Sequence, residues 1–287
     1  MDTVFGELDT QAAGAGAPVT RQLAGGRGWS MYEYVCEAGP DDRPFEERHD
    51  AVSIAAVVAG SFNYASDKGK ALLHPGALLL GNHGACYECG HDHGVGDRCI
   101  AVQFSPDYFA EIAATAAGSS KFSFPAAMLP SGREMLPHTV MLEASGKNRE
   151  PLKTEEDLVS FVAATVRALS GAAAVASRIS SHDSRRLTRA VRYIEEHAER
   201  ALDLDQLASI AAMSKFHFLR TFRRSVGMTP YQFLRSIRLR RAALRLLTSP
   251  DAVSAIAFET GFGDLSTFNS TFRARFGMNP MAFRRTR

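Results

Sequence analysis

The chain has 287 residues, of which 45% are hydrophobic and 22% are charged, which is typical of a globular protein with roughly two domains. The best candidate for a membrane segment, Ala51–Gly60, is half as long as the ~20 residues that cross a bilayer. We therefore expect no membrane span, and, because no basic segment followed by an apolar one opens the chain, no secretory signal.

The small net charge of +2 conceals two oppositely charged halves. Residues 183–287 contain 19 Lys/Arg and 9 Asp/Glu, a net charge of +10, which leaves 14 and 22, a net charge of −8, for residues 1–182. Opposite charges indicate two domains with different partners, and the basic half favours a polyanion, above all nucleic acid. Basic helices with solvated faces would give the same charge, so charge alone does not decide between them.

The N-terminal half begins with residues 1–27, which are rich in Ala, Gly and Thr and are expected to be flexible. From about Arg43 to Pro106, short apolar runs alternate with glycine-rich turns. This pattern is typical of β-strands in an antiparallel barrel or sandwich.

Within that region, three of the four cysteines lie in CYECGHDHGVGDRC, Cys86–Cys99. If a strand runs through it and GVGD turns the chain, Cys99 pairs opposite His91. The candidate ligands of Zn²⁺ or Cu⁺ are then Cys86, Cys89, His91, His93 and Cys99, with Cys86 as the alternative to one of the others. Two interpretations stay open beside the metal site: a thiol redox switch, and side chains that only pack. Few cysteines in a long chain favour a reducing cytoplasm.

After Pro106 the pattern becomes helical. Thr154–Gly171 is predicted to be an amphipathic helix with a capping box at its start, and its apolar stripe packs on the barrel or on a second subunit. The Ala/Ser/Gly-rich segment Gly171–Ser184 is the predicted interdomain linker.

The C-terminal half contains an internal repeat. TFRRSVGMTPYQF (Thr221–Phe233) and TFRARFGMNPMAF (Thr271–Phe283) share seven identities over thirteen positions at an offset of 50 residues, so one structural unit is used twice. The first copy is predicted to be a helix-turn-helix, with a helix over Leu204–Met213 and a second over Lys215–Val226. Ser214 is the N-cap of the second helix, and Gly227 ends it.

The second copy has helices over Ala252–Gly261 and Leu265–Phe276, with Asp264 as N-cap. Matching Ile256 to Ile210 predicts a turn four residues longer than in the first copy. Tyr231–Ser249 joins the copies as one helix of about 28 Å, which can separate two recognition helices by about one DNA turn, roughly 34 Å.

Residues 184–287 resemble the DNA-binding domain of the arabinose-operon (AraC/XylS) regulator family, above all in AFETGFGDLSTFNSTFRARFGMNPMAFRR, Ala257–Arg285. Gly60 and the HPG sequence at His74–Gly76 resemble the cupin-type barrel common at the front of this family. The resemblance implies an α+β protein, with a cupin-like antiparallel β-barrel plus helices and an all-α domain with two helix-turn-helix motifs. The barrel would bind an effector and carry the dimer contact in residues 28–176, with a linker at 177–183.

By position in the family's motif, the resemblance assigns base-reading roles to Lys215, Phe216, Leu219 and Arg220, and in the second unit to Leu265, Ser266, Thr267 and Ser270. Arg223, Arg224 and Arg273 fall where phosphates are contacted. Arg220 can bind guanine O6 and N7 with both arms, whereas the short hydroxyl side chains of the second unit would read bases weakly.

We therefore expect a cytoplasmic transcriptional regulator that binds double-stranded DNA as a homodimer. If it is an activator, RNA polymerase is a further expected partner. Its barrel senses a small molecule, a metal or a redox signal, and Zn or Cu at the Cys/His stretch is the cofactor that the sequence suggests. The alternative is a metal-dependent cupin enzyme with an accessory helix-turn-helix domain. Because His49, His74 and His83 lie outside any second metal motif, and no P-loop or dinucleotide fingerprint is found, we expect no catalytic residues.

Overall fold

The computed structural model describes residues 18–44, 46–91, 96–130, 132, 134–145, 151–170 and 180–286. The described chain forms ten strands and ten helices. The strands are β1 (Val19–Gly26), β2 (Trp29–Cys36), β3 (Glu46–Arg48), β4 (Val52–Gly60), β5 (Phe62–Ser66), β6 (Gly69–Leu73), β7 (Leu78–Gly81), β8 (Cys86–Gly90), β9 (Asp97–Phe104) and β10 (Met128–Leu129). The helices are α1 (Pro106–Ala117), α2 (Met135–Ser145), α3 (Pro151–Ser170), α4 (Ser181–Glu196), α5 (Leu204–Ile210), α6 (Lys215–Val226), α7 (Pro230–Thr248), α8 (Val253–Glu259), α9 (Leu265–Phe276) and α10 (Pro280–Arg284).

The strands form two antiparallel sheets. A six-stranded sheet has the order β1-β2-β9-β4-β7-β10, and a four-stranded sheet has the order β3-β8-β5-β6. No strand pairing joins them among the described residues, so the expected closed cupin-like barrel is not found there. The second arrangement that the sequence allowed, a sandwich of two sheets, is the one observed.

Strand β4 lies at the centre of three layers and is buried on both faces. Its side chains at Ile54, Ala56 and Val58 pack with helices α1 and α3, whereas Ala55 and Val57 face the smaller sheet. A strand buried on both sides must be apolar at every position rather than at alternate ones. This is why Ala51–Gly60 gives the longest apolar run considered for a membrane span. None of the described helices is long and apolar enough to cross a membrane.

Two predicted boundaries in this half were wrong. Residues 19–26, which we expected to be flexible, form strand β1 and pair with β2, while residues 1–17 lie outside the described residues. Helix α3 begins at Pro151, three residues before the predicted capping box, and Thr154 is buried inside the helix. The apolar stripe of α3 packs on the large sheet of its own subunit rather than on a second one.

The C-terminal half contains the two predicted helix-turn-helix units, α5–α6 and α8–α9, joined by α7. Each second helix has the predicted N-cap, because Ser214 accepts a hydrogen bond from His217 N and Asp264 accepts one from Thr267 N. Gly227 and Gly277 end these helices in the left-handed conformation, with φ of 80° and 73°. Local signals therefore define both units.

The second turn is longer by one residue, not by four. In both units, a backbone amide just beyond the first helix donates a hydrogen bond to a carbonyl oxygen within that helix. The bond runs from Met213 N to Ala208 O in the first unit and from Phe262 N to Ala257 O in the second. This contact aligns the two copies at an offset of 49, so Ile256 corresponds to Leu207 and not to Ile210. The extra residue comes before Asp264, which restores the offset of 50 in the second helix.

The two halves share their apolar cores. Leu72 of β6 packs among residues of α4–α7, and Leu136 and Val140 of α2 pack among those of the second unit. Burial of each such side chain contributes about 1.5–3 kcal/mol. The first turn of α4 also occupies residues 181–183 of the predicted linker, while residues 171–179 lie outside the described chain.

Polar contacts reinforce this interface. Arg192 of α4 donates hydrogen bonds to the carbonyl oxygens of Ser61 (3.2 Å) and Gly96 (2.9 Å), and Glu195 accepts one from Gly60 N (3.1 Å). Burial raises the pKa of Glu195, although the Gly60 amide and neighbouring arginines oppose the rise. Helix α4 is thus held directly on the connection between β4 and β5.

Candidate nucleic-acid interface and thiol cluster

The outer face of α6 carries the first set of predicted DNA-contacting residues. The inner face of the helix is fixed by Phe218, Phe222 and Val226, all fully buried. Helical spacing then turns the predicted residues away from this core. Leu219 is half-buried, and the other predicted residues are exposed: Lys215, Phe216, Arg220, Arg223 and Arg224. Phe216 is 87% exposed, which is unusual for a large apolar side chain. A side chain of this kind could make an apolar contact with the methyl group of thymine.

The second unit repeats this arrangement with a different surface. Phe268 and Phe272 hold α9 in the core, and the predicted contact residues are all exposed: Leu265, Ser266, Thr267, Ser270 and Arg273. Ser270 Oγ donates to Thr267 O (3.1 Å), so its hydroxyl is partly used within the helix. This contact agrees with the expectation of weaker base reading by the second unit.

Asn269 is a further candidate that the motif comparison did not single out. It is exposed on α9, and it lines a groove with Ser266, Ser270, Arg273 and residues at the start of α10. An amide side chain can bind adenine N6 and N7 with both arms. The sequence signal that could have identified it is helical periodicity: with Asp264 as the N-cap and Phe268 and Phe272 facing the core, Asn269 falls on the outward face.

Electrostatics separate these outer arginines from the other arginines of the domain. Arg235, Arg238 and Arg241 are bound to hydroxyl or carbonyl oxygens of neighbouring elements. Among the residues that the structure describes, Arg220, Arg223, Arg224 and Arg273 have no carboxylate within ion-pair distance. Lys215 differs, because its Nζ lies 2.7 Å from Asp205 Oδ1. These four arginines therefore carry positive charge on the outer faces of α6 and α9 that no carboxylate in the described part of the chain neutralises.

The Cys/His stretch has a different geometry from the predicted hairpin. Strand β8 pairs with β3 and β5, whereas β9 pairs with β2 and β4, so Cys99 lies opposite Tyr34 and Val57 and not opposite His91. The predicted pairing was wrong because each strand finds its partners in a different sheet. His93 lies outside the described residues.

Five side chains nevertheless gather at one end of the space between the sheets. Ligand atoms of Cys36, His91 and Asp97 all lie within 4.8 Å of one another. Cys99 Sγ donates to Asp97 Oδ1 at 3.4 Å, and Cys89 packs against the apolar core that includes Cys99. We call Cys36, Cys89, His91, Asp97 and Cys99 the thiol cluster. Burial raises the pKa of the thiols at positions 36, 89 and 99.

Sequence reasoning missed Cys36 and Asp97 and included Cys86. Cys86 lies two positions from the outward Glu88 on β8, and therefore on the face opposite to Tyr87 and Cys89, which pack between the sheets. Two of the three other histidines considered for an enzyme have partners elsewhere, and the third, His83, is exposed. His49 bonds to Tyr64 and stacks on Tyr87, and His74 is fully buried against Phe233.

Comparison with known proteins agrees with this geometry in the C-terminal part of the chain. Residues 207–286 match a family model described as a helix-turn-helix domain. The transcriptional activator RhaS of Escherichia fergusonii is 33% identical over 36% of this chain and 37% of its own length. An uncharacterised HTH-type transcriptional regulator of Bacillus subtilis, YbfI, is 25% identical over 76% of this chain and 78% of its own length.

Among solved structures, the DNA-binding domain of AdpA, a global transcriptional factor crystallised with a target DNA, is 33% identical over 35% of this chain and 91% of that chain, with a TM-score of 0.34. The match to RhaS spans only about a third of that relative's length. The C-terminal part of the chain is thus a double helix-turn-helix domain. The two relatives described above are named as a transcriptional activator and a transcriptional regulator, in agreement with the expectation of a protein that is not an enzyme.

Proposed function

We propose that this protein is a sequence-specific, DNA-binding transcriptional regulator of the AraC type. The observation that carries the proposal is the pair of outward helices α6 and α9 on either side of the 19-residue helix α7. Four exposed arginines on these helices have no carboxylate within ion-pair distance among the described residues: Arg220, Arg223, Arg224 and Arg273. Helix α7 spans about 28 Å, which suits two recognition helices in successive major-groove segments of one duplex.

In this proposal the two units have different roles. Arg220 and Phe216 on α6 supply direct base recognition, and Arg223 and Arg224 bind phosphates. The hydroxyl-rich face of α9, with Asn269 and Arg273, contributes affinity and a weaker base preference. The net charge of +10 over residues 183–287 adds a salt-dependent attraction to the duplex.

We further propose that the N-terminal half senses the signal and restrains the DNA-binding half. This proposal is supported by the contacts of Arg192 and Glu195 with the β4–β5 connection, and by the shared apolar cores. A signal that moved this connection would move α4, which packs directly against α5 and α6. The homodimer, RNA polymerase as a partner and a cupin-like role for the sandwich stay proposals that rest on the family resemblance.

The experiment is a selection of duplexes from a random-sequence pool of roughly 40 base pairs, long enough for two units, followed by fluorescence anisotropy with the selected and a scrambled duplex. We expect Arg220→Ala to lose about 1–3 kcal/mol of binding free energy on the selected duplex and to relax the base preference at one position. The matched control is Arg223→Ala, which should weaken both duplexes alike and reduce the salt slope by about one unit.

Two results would count against the proposal. If the wild-type chain enriched no sequence over the starting pool, the proposal of a sequence-specific DNA-binding regulator would be wrong. An equal loss for Arg220→Ala on the selected and scrambled duplexes would leave DNA binding in place but remove the base contact assigned to Arg220.

A further inference from the structure

The thiol cluster contains the one group of at least three His, Cys or acidic residues with converging ligand atoms that we find in the described part of the chain, which consists of Cys36, His91 and Asp97. It takes Cys36 from the end of β2, His91 from the segment after β8, and Asp97 and Cys99 from the start of β9. The DNA-binding role proposed above makes no use of these residues. Their arrangement therefore needs an explanation of its own.

Strand pairing fixes the cluster's geometry. Cys36 lies directly opposite Asp97 in the β2–β9 register, and Cys99 follows Asp97 by two residues, so both β9 side chains point to the same face of the large sheet. That face is the one covered by the smaller sheet, from which Cys89 and His91 approach. Two sheets that are not hydrogen-bonded to each other thus meet at this point through side chains.

The chemistry of the group differs from that of an ordinary core. The side chains of His91 and Asp97 are 4% and 8% exposed, and His91 Nε2 lies 2.7 Å from Asp97 Oδ2. Burying a carboxylate and an imidazole beside the buried Cys99 thiol, at the edge of an apolar layer, costs desolvation energy that aliphatic side chains would not. A bound cation would offset that cost.

We propose that Cys36, His91, Asp97 and Cys99 form a binding site for one Zn²⁺ ion. Ligand atoms around tetrahedral zinc lie about 3.3–3.8 Å apart, given metal–ligand bonds of about 2.0–2.3 Å. Three of the four already lie within 4.8 Å of one another, and Cys99 Sγ is 3.4 Å from Asp97 Oδ1, so side-chain rotation can complete the set. Two sulfurs, one nitrogen and one oxygen suit zinc and exclude Mg²⁺ and Ca²⁺, which take oxygen ligands. Cys89 packs against the core that contains Cys99 and is not one of the four proposed ligands.

The site lies next to the contact with α4. Asp97 follows Gly96, whose carbonyl oxygen accepts from Arg192 of α4, and Asp97 pairs with Gly60, whose amide donates to Glu195 of the same helix. One contact with α4 is therefore made by the residue before Asp97, and the other by the residue paired with Asp97 across the sheet. Zinc binding that moves Asp97 would move both contacts. We expect zinc to change DNA affinity through α4, a consequence that rests on the proposed function.

The experiment uses the full, tag-free chain, reduced and dialysed against a chelator, and titrated anaerobically with ZnCl₂ against a chromophoric chelator, with MgCl₂ as the control ion. We expect one equivalent of zinc to bind. Cys36→Ser and, separately, His91→Gln should weaken binding by more than the roughly 10–100-fold that loss of an outer-shell partner costs. Cys86→Ser is the matched control, because Cys86 lies on the same strand as Cys89 but on its outer face, and it should bind zinc like the wild type.

Co²⁺ substitution supplies a readout that does not depend on stability. Thiolate-to-cobalt charge-transfer absorption should appear with wild type and Cys86→Ser and should be weakened in Cys36→Ser. Absence of stoichiometric zinc binding by the wild type, or equal losses in Cys36→Ser and Cys86→Ser, would overturn the site.

DNA anisotropy with and without one equivalent of zinc then separates the two proposals. Zinc binding with unchanged DNA affinity would overturn the coupling through α4 while the site stands. Stoichiometric zinc binding by a chain that selects no DNA sequence would overturn the proposed regulator and its coupling, and it would leave the zinc site supported.

Discussion

A chain of alternating charges crosses the interface between the two halves, and its central member is Glu143 of α2. Glu143 accepts hydrogen bonds from Arg240 of α7 (Oε2, 2.6 Å) and from Arg98 of β9. Glu143 and Arg240 have side chains that are only 5% and 10% exposed, and Arg240 also donates to Val58 O in β4. Arg98 reaches on to Glu33 (2.8 Å). This network joins the helix between the two helix-turn-helix units to the large sheet.

We expect Glu143→Gln to lower the free energy of unfolding by about 3 kcal/mol. Removal of one partner of a buried ion pair leaves an uncompensated charge, at a cost of about 3–5 kcal/mol, and the amide keeps the shape and one hydrogen bond, which favours the lower limit. The matched control is Glu259→Gln. Glu259 also pairs with an arginine, Arg245, but is 59% exposed, so its loss should cost about 0–1 kcal/mol.

Urea unfolding followed by far-UV circular dichroism and by the fluorescence of the single tryptophan measures both values. Trp29 is 5% exposed and lies in β2, so its emission reports on the N-terminal half. The double variant Glu143→Gln with Arg240→Met should lose less than the sum of the single losses, because it no longer buries the Arg240 charge. Equal losses of under about 1 kcal/mol in Glu143→Gln and Glu259→Gln would refute the reasoning from burial.

Two further predictions concern stability. Burial lowers the pKa of the fully buried His74 from 6.5 to about 4, so the unfolded chain binds a proton more readily than the folded one. The contribution of His74 to stability is therefore fully present above pH 6.5. It is lost as the pH falls toward 4, by up to about 1.4 kcal/mol per pH unit. His74→Gln should flatten the fall of Tm over this range, and an unchanged slope would contradict the assignment. Gly60→Ala should cost about 2 kcal/mol or more, because φ is +74° and a Cβ would lie 2.4 Å from Gly96 O. Gly84→Ala, at φ +79° with no atom within 4 Å, isolates the backbone strain, and equal losses in chemical denaturation would mean that the close contact adds nothing.

The sequence by itself determined the second helix of each helix-turn-helix unit, with the same first and last residues that the structure has. Their signals are local: Ser214 and Asp264 cap neighbouring amides, Gly227 and Gly277 end helices, and phenylalanines recur at helical spacing. A helix satisfies its own backbone hydrogen bonds, so residues a few positions apart suffice to specify it. The first helices were predicted too long, since their ends lack such clear signals.

Only the tertiary structure decided which strands pair and which side chains meet. CYECGHDHGVGDRC reads as a hairpin from its turn residues, yet β8 and β9 belong to different sheets. The thiol cluster gains Cys36 from a position more than fifty residues away and loses Cys86 to the opposite face of its strand. The bonds of a strand are made with partners distant in the chain, so no spacing within the stretch carries this information. For the same reason the burial of Glu143 and Arg240, separated by 97 residues, follows from the packing of the two halves and from nothing visible in either segment alone.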